Sequence, residues 1–338
     1  MFLVRPAKLD DLDLLLKLAR TVHFVNLPPD KDVIAGKILR SRKSFAGEYD
    51  QEERQRLFMF CLEDTQTGNL IGSSMIVCCV SWPGHPHTYL KVRRRELYSD
   101  DLQGGQVHLT LEFETDETGP SELGGLILAP GYRGHPEKLG KTLSMIRFHY
   151  IGLHPDQFSE RLLAEMMGRI TPDSRNLLWD YLGRRFINLS YKEADLFCQR
   201  SKEFMTSLFP PGEIYASLLP PEARNLIGKV GDDTRPARAM LEKQGFRYEG
   251  DIDPFDGGPY LEALRDEIPL VRSTGTFSLG TTGGDGFDRI GIVSCNGDLG
   301  FRAVRSEYRV EGEMVHLPQE SVDTLGVASQ DPIGITPL

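Results

Sequence analysis

The segment from residue 121 to residue 151 combines residue types and spacings that suit the binding of an anion. Its apolar run, Leu126 to Leu128, predicts a strand, and the Pro- and Gly-rich segment from Pro130 to Lys138 predicts a turn. Apolar residues at helical spacing then predict a helix that begins near Gly140. The amides of such a turn and helix start point at one place, where the helix dipole favours negative charge. Phosphate binding is the first hypothesis, and an ordinary connection between a strand and a helix is the alternative.

The stretch from Gly134 to Thr142 is similar to the phosphate loop of nucleotide triphosphatases but differs from it in length. Five residues separate Gly134 from the sequence Gly140-Lys141-Thr142, whereas that motif has four. One extra residue changes which backbone amides converge on a phosphate group. The spacing therefore argues against an ATPase or a GTPase.

The composition is that of an ordinary soluble protein. Of the 338 residues, 40% are hydrophobic and 26% are charged. This length is enough for two or three modules with a sizeable core. The net charge of −10 argues against non-specific nucleic-acid binding, which depends on clustered Lys and Arg. No stretch approaches the length of apolar sequence that a membrane helix needs, and the N-terminus lacks a signal-peptide pattern. Small-molecule partners are predicted, with neither nucleic acid nor membrane.

The cysteines and histidines do not predict a metal site. The five cysteines are an odd number without metal-type spacing, which favours reduced thiols in a cytoplasmic protein. His85 and His87 lie two residues apart, but no third ligand is near them in the sequence. We therefore predict that no metal is bound.

The remaining pattern predicts elements on both sides of the central segment. A short strand, two helices and an antiparallel hairpin formed by Leu57–Leu62 and Leu70–Val80 are predicted before it. From about Ser273 onward, Gly- and Thr-rich turns alternate with short β-type runs. These runs predict a small β-rich C-terminal appendage.

This order of elements resembles the GNAT fold of acyl-CoA N-acyltransferases, and several short motifs resemble bacterial arginine N-succinyltransferases. The motifs are Ser121-Glu122-Leu123, Ala164-Glu165-Met166, Leu182-Gly183-Arg184-Arg185-Phe186, Ala194-Asp195, Pro236-Ala237-Arg238-Ala239, Leu241-Glu242-Lys243, Gly245-Phe246-Arg247-Tyr248 and Phe255-Asp256-Gly257-Gly258-Pro259. Their order and spacing carry the resemblance, which extends from Val4 to about Arg272.

The resemblance implies an α+β fold with a mixed, mostly antiparallel central sheet that is flanked by helices. It also implies a domain organisation of three contiguous parts. Residues 1–195 would form the acyl-CoA-binding core, and residues 196–272 a helical extension with a second GNAT-like half that completes the acceptor site. Residues 273–338 would form the β-rich appendage.

The implied activity is transfer of a succinyl group from succinyl-CoA to the α-amino group of arginine, or of ornithine. Coenzyme A would be a co-substrate, and no cofactor would be bound permanently. The positions implied to contact it are Leu126, Ile127, Arg133, Gly134, Leu139, Gly140, Lys141 and Thr142. Association with a second copy of the chain or with a paralogue is also implied.

One departure from the family pattern concerns the catalytic histidine. The family's catalytic histidine follows an Ile-Gly-x-Val segment, and this chain has Gly231 there. Four residues are candidates for handling the amine proton instead: Glu122, Asp232, Asp233 and His23. Alternatively, no dedicated acid is needed, because a thiolate is a good leaving group.

Two other functions remain open at this point. The first is a non-catalytic homologue that binds an acyl-CoA or an amino acid. The second is a GNAT acyltransferase with a different donor or acceptor. The absence of the family histidine at Gly231 motivates the first of these.

Overall fold

The structure is a computed structural model that describes residues 1–21, 27–48, 53–171, 173, 175–198, 201–280 and 286–338. Its strands are β1 (Phe2–Pro6), β2 (Leu57–Asp64), β3 (Asn69–Val77), β4 (His87–Ser99), β5 (Gly104–Asp116), β6 (Ser121–Leu128), β7 (Arg161–Glu165), β8 (Glu213–Tyr215), β9 (Arg247–Ile252), β10 (Pro259–Leu264), β11 (Gly275–Leu279), β12 (Arg289–Gly297), β13 (Gly300–Glu311), β14 (Met314–His316) and β15 (Pro332–Pro337). Its α-helices are α1 (Leu12–Ala19), α2 (Lys31–Ala46), α3 (Leu139–Leu153), α4 (Arg184–Phe186), α5 (Tyr191–Cys198), α6 (Glu203–Leu208), α7 (Pro221–Arg224), α8 (Arg235–Glu242), α9 (Pro269–Arg272) and α10 (Gln319–Leu325).

The chain folds into two compact units, each assembled from separate segments of the sequence. The first unit contains Met1–Cys79, Ser121–Leu162 and Leu264–Leu338, and the second contains Val80–Pro120 and Leu163–Ala263. This division differs from the three contiguous parts predicted at 1–195, 196–272 and 273–338. The reason is that sheet neighbours need not be sequence neighbours: β13 pairs with β1, with Val304 opposite Leu3.

The first unit has a largely antiparallel sheet in the order β12-β15-β11-β14-β13-β1-β2-β3-β6. The predicted hairpin is confirmed, because β2 and β3 pair antiparallel from Leu57 opposite Val77 to Asp64 opposite Asn69. β12 also pairs with β13, so the five C-terminal strands close on themselves around their own apolar core. The predicted α+β class, with a β-rich C-terminal part, is confirmed.

Helices α1 and α2 bury apolar residues against this sheet. Leu15 on α1 and Ile38 on α2 are fully buried with Met59 of β2. Asp30 accepts hydrogen bonds from the amides of Asp32 (2.9 Å) and Val33 (3.0 Å), which caps the start of α2.

Helix α3 is buried on every side. All ten residues from Thr142 to Ile151 are buried, including several polar ones. Among these, the His149 ring lies 2.6 Å through Nδ1 from the hydroxyl of Thr336 and 2.6 Å through Nε2 from that of Ser294. Both partners belong to C-terminal strands, so this helix is tied to the closed β-rich part of its unit.

The second unit has the strand order β7-β10-β9-β4-β5-β8. β4 and β5 form a long antiparallel hairpin, and β9 and β8 pair with parts of it. Trp179 is fully buried, stacks on Phe255 at a ring-centroid distance of 4.8 Å, and donates its indole N–H to the Leu189 carbonyl at 2.9 Å. Phe255 lies in the loop between β9 and β10, so its contact with Trp179 holds this loop against the core.

Folding stability is expected to fall as the pH is lowered below 6.5, because burial lowers the pKa of His149 from its ordinary 6.5 to about 3. Below pH 6.5 the unfolded chain binds a proton that the folded chain excludes, which costs about 1.4 kcal/mol per pH unit. Urea unfolding of wild type and His149→Gln at pH 7 and pH 5 measures this difference. Between pH 7 and pH 5, His149→Gln should lose less unfolding free energy than wild type, whereas a variant of the partly exposed His108, His108→Gln, should lose as much as wild type. Equal losses of unfolding free energy in wild type and His149→Gln would contradict the role given to His149.

Candidate active site

A β-bulge interrupts β6 in its middle. Leu123 lies opposite Ile76 and Gly124 opposite Met75, but the next pair is Ile127 opposite Ser73. Two residues, Gly125 and Leu126, therefore face one residue of β3. Gly125 has a φ of +59°, which a side chain would disfavour, and its neighbour Leu126 is partly exposed. The bulge thus places Leu126 at a partly open edge, whereas the Ile127 side chain is 1% exposed and belongs to the core.

The loop after β6 leads directly into α3. The amides of Tyr132 and Lys138 donate to carbonyls within this loop, and Thr142 N donates to Lys138 O at 3.0 Å. The helix begins at Leu139, one residue before the predicted start. The amides of Leu139, Gly140 and Lys141 precede the first intrahelical bond and point out of the helix end.

The surroundings of this helix start favour an anion. Its first turn has no acidic residue, while Arg133, Lys138 and Lys141 are exposed beside it. Thr142 is 3% exposed, and its hydroxyl has no hydrogen-bond partner among the described residues. A buried hydroxyl, helix amides and cations together form a suitable site for a phosphate group.

Glu122 lies at the head of β6 in a buried charged group. Its side chain is mostly enclosed, with the residue 8% exposed, opposite Val77 of β3. Burial lowers the pKa of Arg147 on α3 to about 10 and also lowers that of Lys37 on α2, while the charge of Glu122 raises both. Arg147 also donates to the Ser144 carbonyl (3.0 Å) and hydroxyl (2.8 Å). Glu122 therefore supplies a negative charge near the buried Arg147 and the partly buried Lys37.

Gly231 lies in the second unit at a position without space for a side chain. Its amide donates to the Met167 carbonyl at 3.0 Å, and an added Cβ atom would lie 2.9 Å from the Gly168 carbonyl oxygen. Such a contact is closer than carbon and oxygen ordinarily approach. A side chain at this position would therefore require the neighbouring backbone to shift.

Asp232 and Asp233 lie on the surface just before α8. The Asp232 side chain is 75% exposed and forms ion pairs with Arg235 (2.8 Å) and Arg169 (3.6 Å). Asp233 is exposed as well. The structure places both in the second unit and Glu122 in the first. His23 lies outside the described residues, and the catalytic roles of these four candidates remain predictions.

Asp195 on α5 has an environment that sequence reasoning did not single out. Burial, followed by the nearby charge of Asp253, raises its pKa to about 7. Its Oδ1 atom is buried and has no hydrogen-bond partner within the described ranges. Asp253 itself accepts from the amides of Phe255 (2.7 Å) and Asp256 (2.9 Å) and from the Tyr260 hydroxyl (3.1 Å). The motif containing Asp195 was visible in the sequence, but the proximity of Asp195 to Asp253, almost sixty residues later, was not.

The described residues contain neither a metal-binding cluster nor a helix that could span a membrane. No group of three or more His, Cys, Asp or Glu side chains there is arranged to hold a metal ion. In the same ranges, no helix combines the length and apolar character needed to cross a membrane.

Comparison with known proteins gives a consistent family. The family described as "Arginine N-succinyltransferase beta subunit" matches residues 2–270, which is more than half of the chain. The arginine N-succinyltransferase of Yersinia pestis (strain Pestoides F) is 33% identical over 348 aligned residues, which cover 100% of this chain and 98% of the relative. That of Shigella boydii serotype 18 is 35% identical over 277 residues, which cover 81% of this chain and 79% of the relative.

A solved structure agrees with these sequence matches. The arginine/ornithine succinyltransferase subunit AI from Pseudomonas aeruginosa superposes with a TM-score of 0.84 at 26% identity, covering 100% of this chain and 98% of that one. The family resemblance predicted from the motifs is therefore confirmed. On the extent of these matches, the chain belongs to the arginine N-succinyltransferase family.

Proposed function

We propose that this chain is an N-acyltransferase that moves a succinyl group from succinyl-CoA to the α-amino group of arginine, with ornithine as a second acceptor. The observation that carries the proposal is the match of the whole chain to arginine N-succinyltransferases, in a fold that places an electropositive helix start after a bulged strand. Both substrates are small molecules, and the proposed location is the cytoplasm. The Pseudomonas relative is named as a subunit, so self-association or pairing with a paralogue is part of the proposal.

The donor is held through its pyrophosphate at the start of α3. The amides of Leu139, Gly140 and Lys141 donate to phosphate oxygens, the Thr142 hydroxyl donates one further hydrogen bond, and the helix dipole favours the negative charge. Arg133 supplies a cation from the loop, and Gly134, whose φ is +73°, lets the loop turn tightly there.

The acyl end of the donor lies along β6 in this proposal. At the bulge, the ladder with β3 is interrupted, so a backbone amide at Gly125 or Leu126 is available to the thioester carbonyl. Negative charge develops on that oxygen when the amine attacks, and an oriented amide stabilises it. Leu126 contacts the acyl chain, while Ile127 acts through its backbone alone.

The proton of the attacking amine needs an acceptor whose pKa lies near neutrality. Burial and the charge of Asp253 raise the pKa of Asp195 to about 7, but Asp195 belongs to the second unit, so this pKa by itself does not assign the proton to it. Asp232 is engaged at the surface with Arg235. Glu122 balances Lys37 and Arg147, so replacing it is expected to lower stability as well as any activity.

A second function is favoured by one observation. Because Gly231 stands where the resemblance implies the family's histidine, a non-catalytic protein that binds acyl-CoA or an amino acid is the alternative. A GNAT enzyme with another donor or acceptor is a variant of the main proposal.

Purified protein with succinyl-CoA is expected to release free thiol when arginine is added, and more slowly with ornithine. A thiol-reactive dye measures the release, with a panel of other amines and acetyl-CoA as comparisons. Thermal stabilisation by coenzyme A without thiol release from any pair would instead support the non-catalytic alternative, since a ligand stabilises by mass action regardless of chemistry.

Thr142→Val is expected to weaken coenzyme A binding by about five- to tenfold, because one hydrogen bond to phosphate, worth about 1 kcal/mol, is lost. The unliganded variant should be as stable as wild type or more so, since a buried hydroxyl without a partner is removed. Titration calorimetry measures the affinity, and Thr142→Ser, which keeps the hydroxyl, is the matched control. Equal affinity in Thr142→Val and wild type would exclude this contact.

A further inference from the structure

We propose that a cavity in the first unit is a second binding site, for a small organic dianion such as a dicarboxylate or a phosphate monoester. The cavity measures about 450 Å³, which lies within the range of small-ligand sites. None of its lining residues belongs to the loop after β6 or to α3. It is therefore separate from the proposed donor site and does not depend on the proposed function.

The cavity has an apolar wall formed by three parts of the unit. Leu3 lies on β1, Phe45 near the end of α2 and Leu299 in the turn between β12 and β13. Leu299 is 66% exposed, so the wall reaches the surface. Phe45 stacks on Phe301 at a centroid distance of 6.1 Å and is thereby held in place. This wall suits the carbon skeleton of a small ligand.

One of the cations that line the cavity is already neutralised. Arg5 donates to Asp11 at 2.7 and 2.9 Å and to Glu63 at 2.6 Å. Burial lowers the pKa of Arg5, but these hydrogen bonds outweigh it and raise the pKa above its ordinary value. Arg5, Asp11 and Glu63 therefore form a fixed floor whose net charge is −1.

The remaining charges leave an excess of positive charge. Lys8, Arg42 and Arg302 line the cavity with one other carboxylate, Asp10, so the net charge around the cavity is +1 when the Arg5 cluster is included. Within the described part of the chain, none of these three cations forms a salt bridge. The Nε atom of Arg302 is buried and has no hydrogen-bond partner among the described residues. Unpaired guanidinium groups beside an apolar wall select a compact dianion, because Arg binds carboxylate and phosphate through paired hydrogen bonds.

The test is calorimetric titration of the full chain with succinate, glutarate and glycerol 3-phosphate, with sodium chloride at equal ionic strength as the control. At least one dianion is expected to bind, and saturating coenzyme A should leave its affinity unchanged. Tighter binding of the dicarboxylates or of the phosphate ester decides which class the site takes. Absence of binding by all three, or competition with coenzyme A, would overturn the proposal.

Variants locate the binding. Arg302→Gln and Arg42→Gln should each weaken the dianion at least tenfold, whereas the exposed Arg272→Gln, which removes the same charge away from the cavity lining, should not. Arg42 lies on the exposed side of α2, so its variant tests the site even if Arg302→Gln fails to fold. Unchanged affinity in Arg42→Gln and in any folded Arg302→Gln would place the dianion elsewhere and refute the assignment.

Discussion

The first unit depends on the complete enclosure of α3. A helix buried on all sides cannot leave its polar side chains in water, so each needs a partner inside the protein. Arg147 meets this need within its own helix and through Glu122, and His149 through two hydroxyl groups of the C-terminal strands. These contacts connect the helix to β6 and to the closed β-rich part. The position of its N-terminus, and of the loop that precedes it, follows from this packing.

Local charge, and not the net charge, determines what this surface attracts. The chain carries a net charge of −10, yet the start of α3 has three exposed cations and no acidic residue in its first turn. Field lines close to a helix terminus come from the nearest groups, because charges beyond about 10 Å are screened in salt solution. An acidic protein can therefore bind a highly anionic coenzyme.

The carboxyl groups of the two units show how environment separates similar side chains. Asp232 is hydrated and paired with arginine at the surface, whereas Asp195 is enclosed near another carboxylate and has a raised pKa. Glu122 is enclosed too, but beside cations. Gly231 illustrates a steric effect, because an added Cβ atom would lie 2.9 Å from the Gly168 carbonyl oxygen.

The sequence alone determined the family, the α+β class and the β2–β3 hairpin, and it predicted anion binding at the segment that starts with β6. The hairpin follows from periodicity and turn residues within one short stretch, whereas the family follows from the order and spacing of motifs between Val4 and about Arg272. The tertiary structure decided what depends on long-range contacts. Leu126 lies at a partly open edge and its neighbour Ile127 lies in the core. The bulge that separates them forms only where β6 pairs with β3. It also brought Asp195 near Asp253 and enclosed both, and burial is a property that no spacing along the chain records.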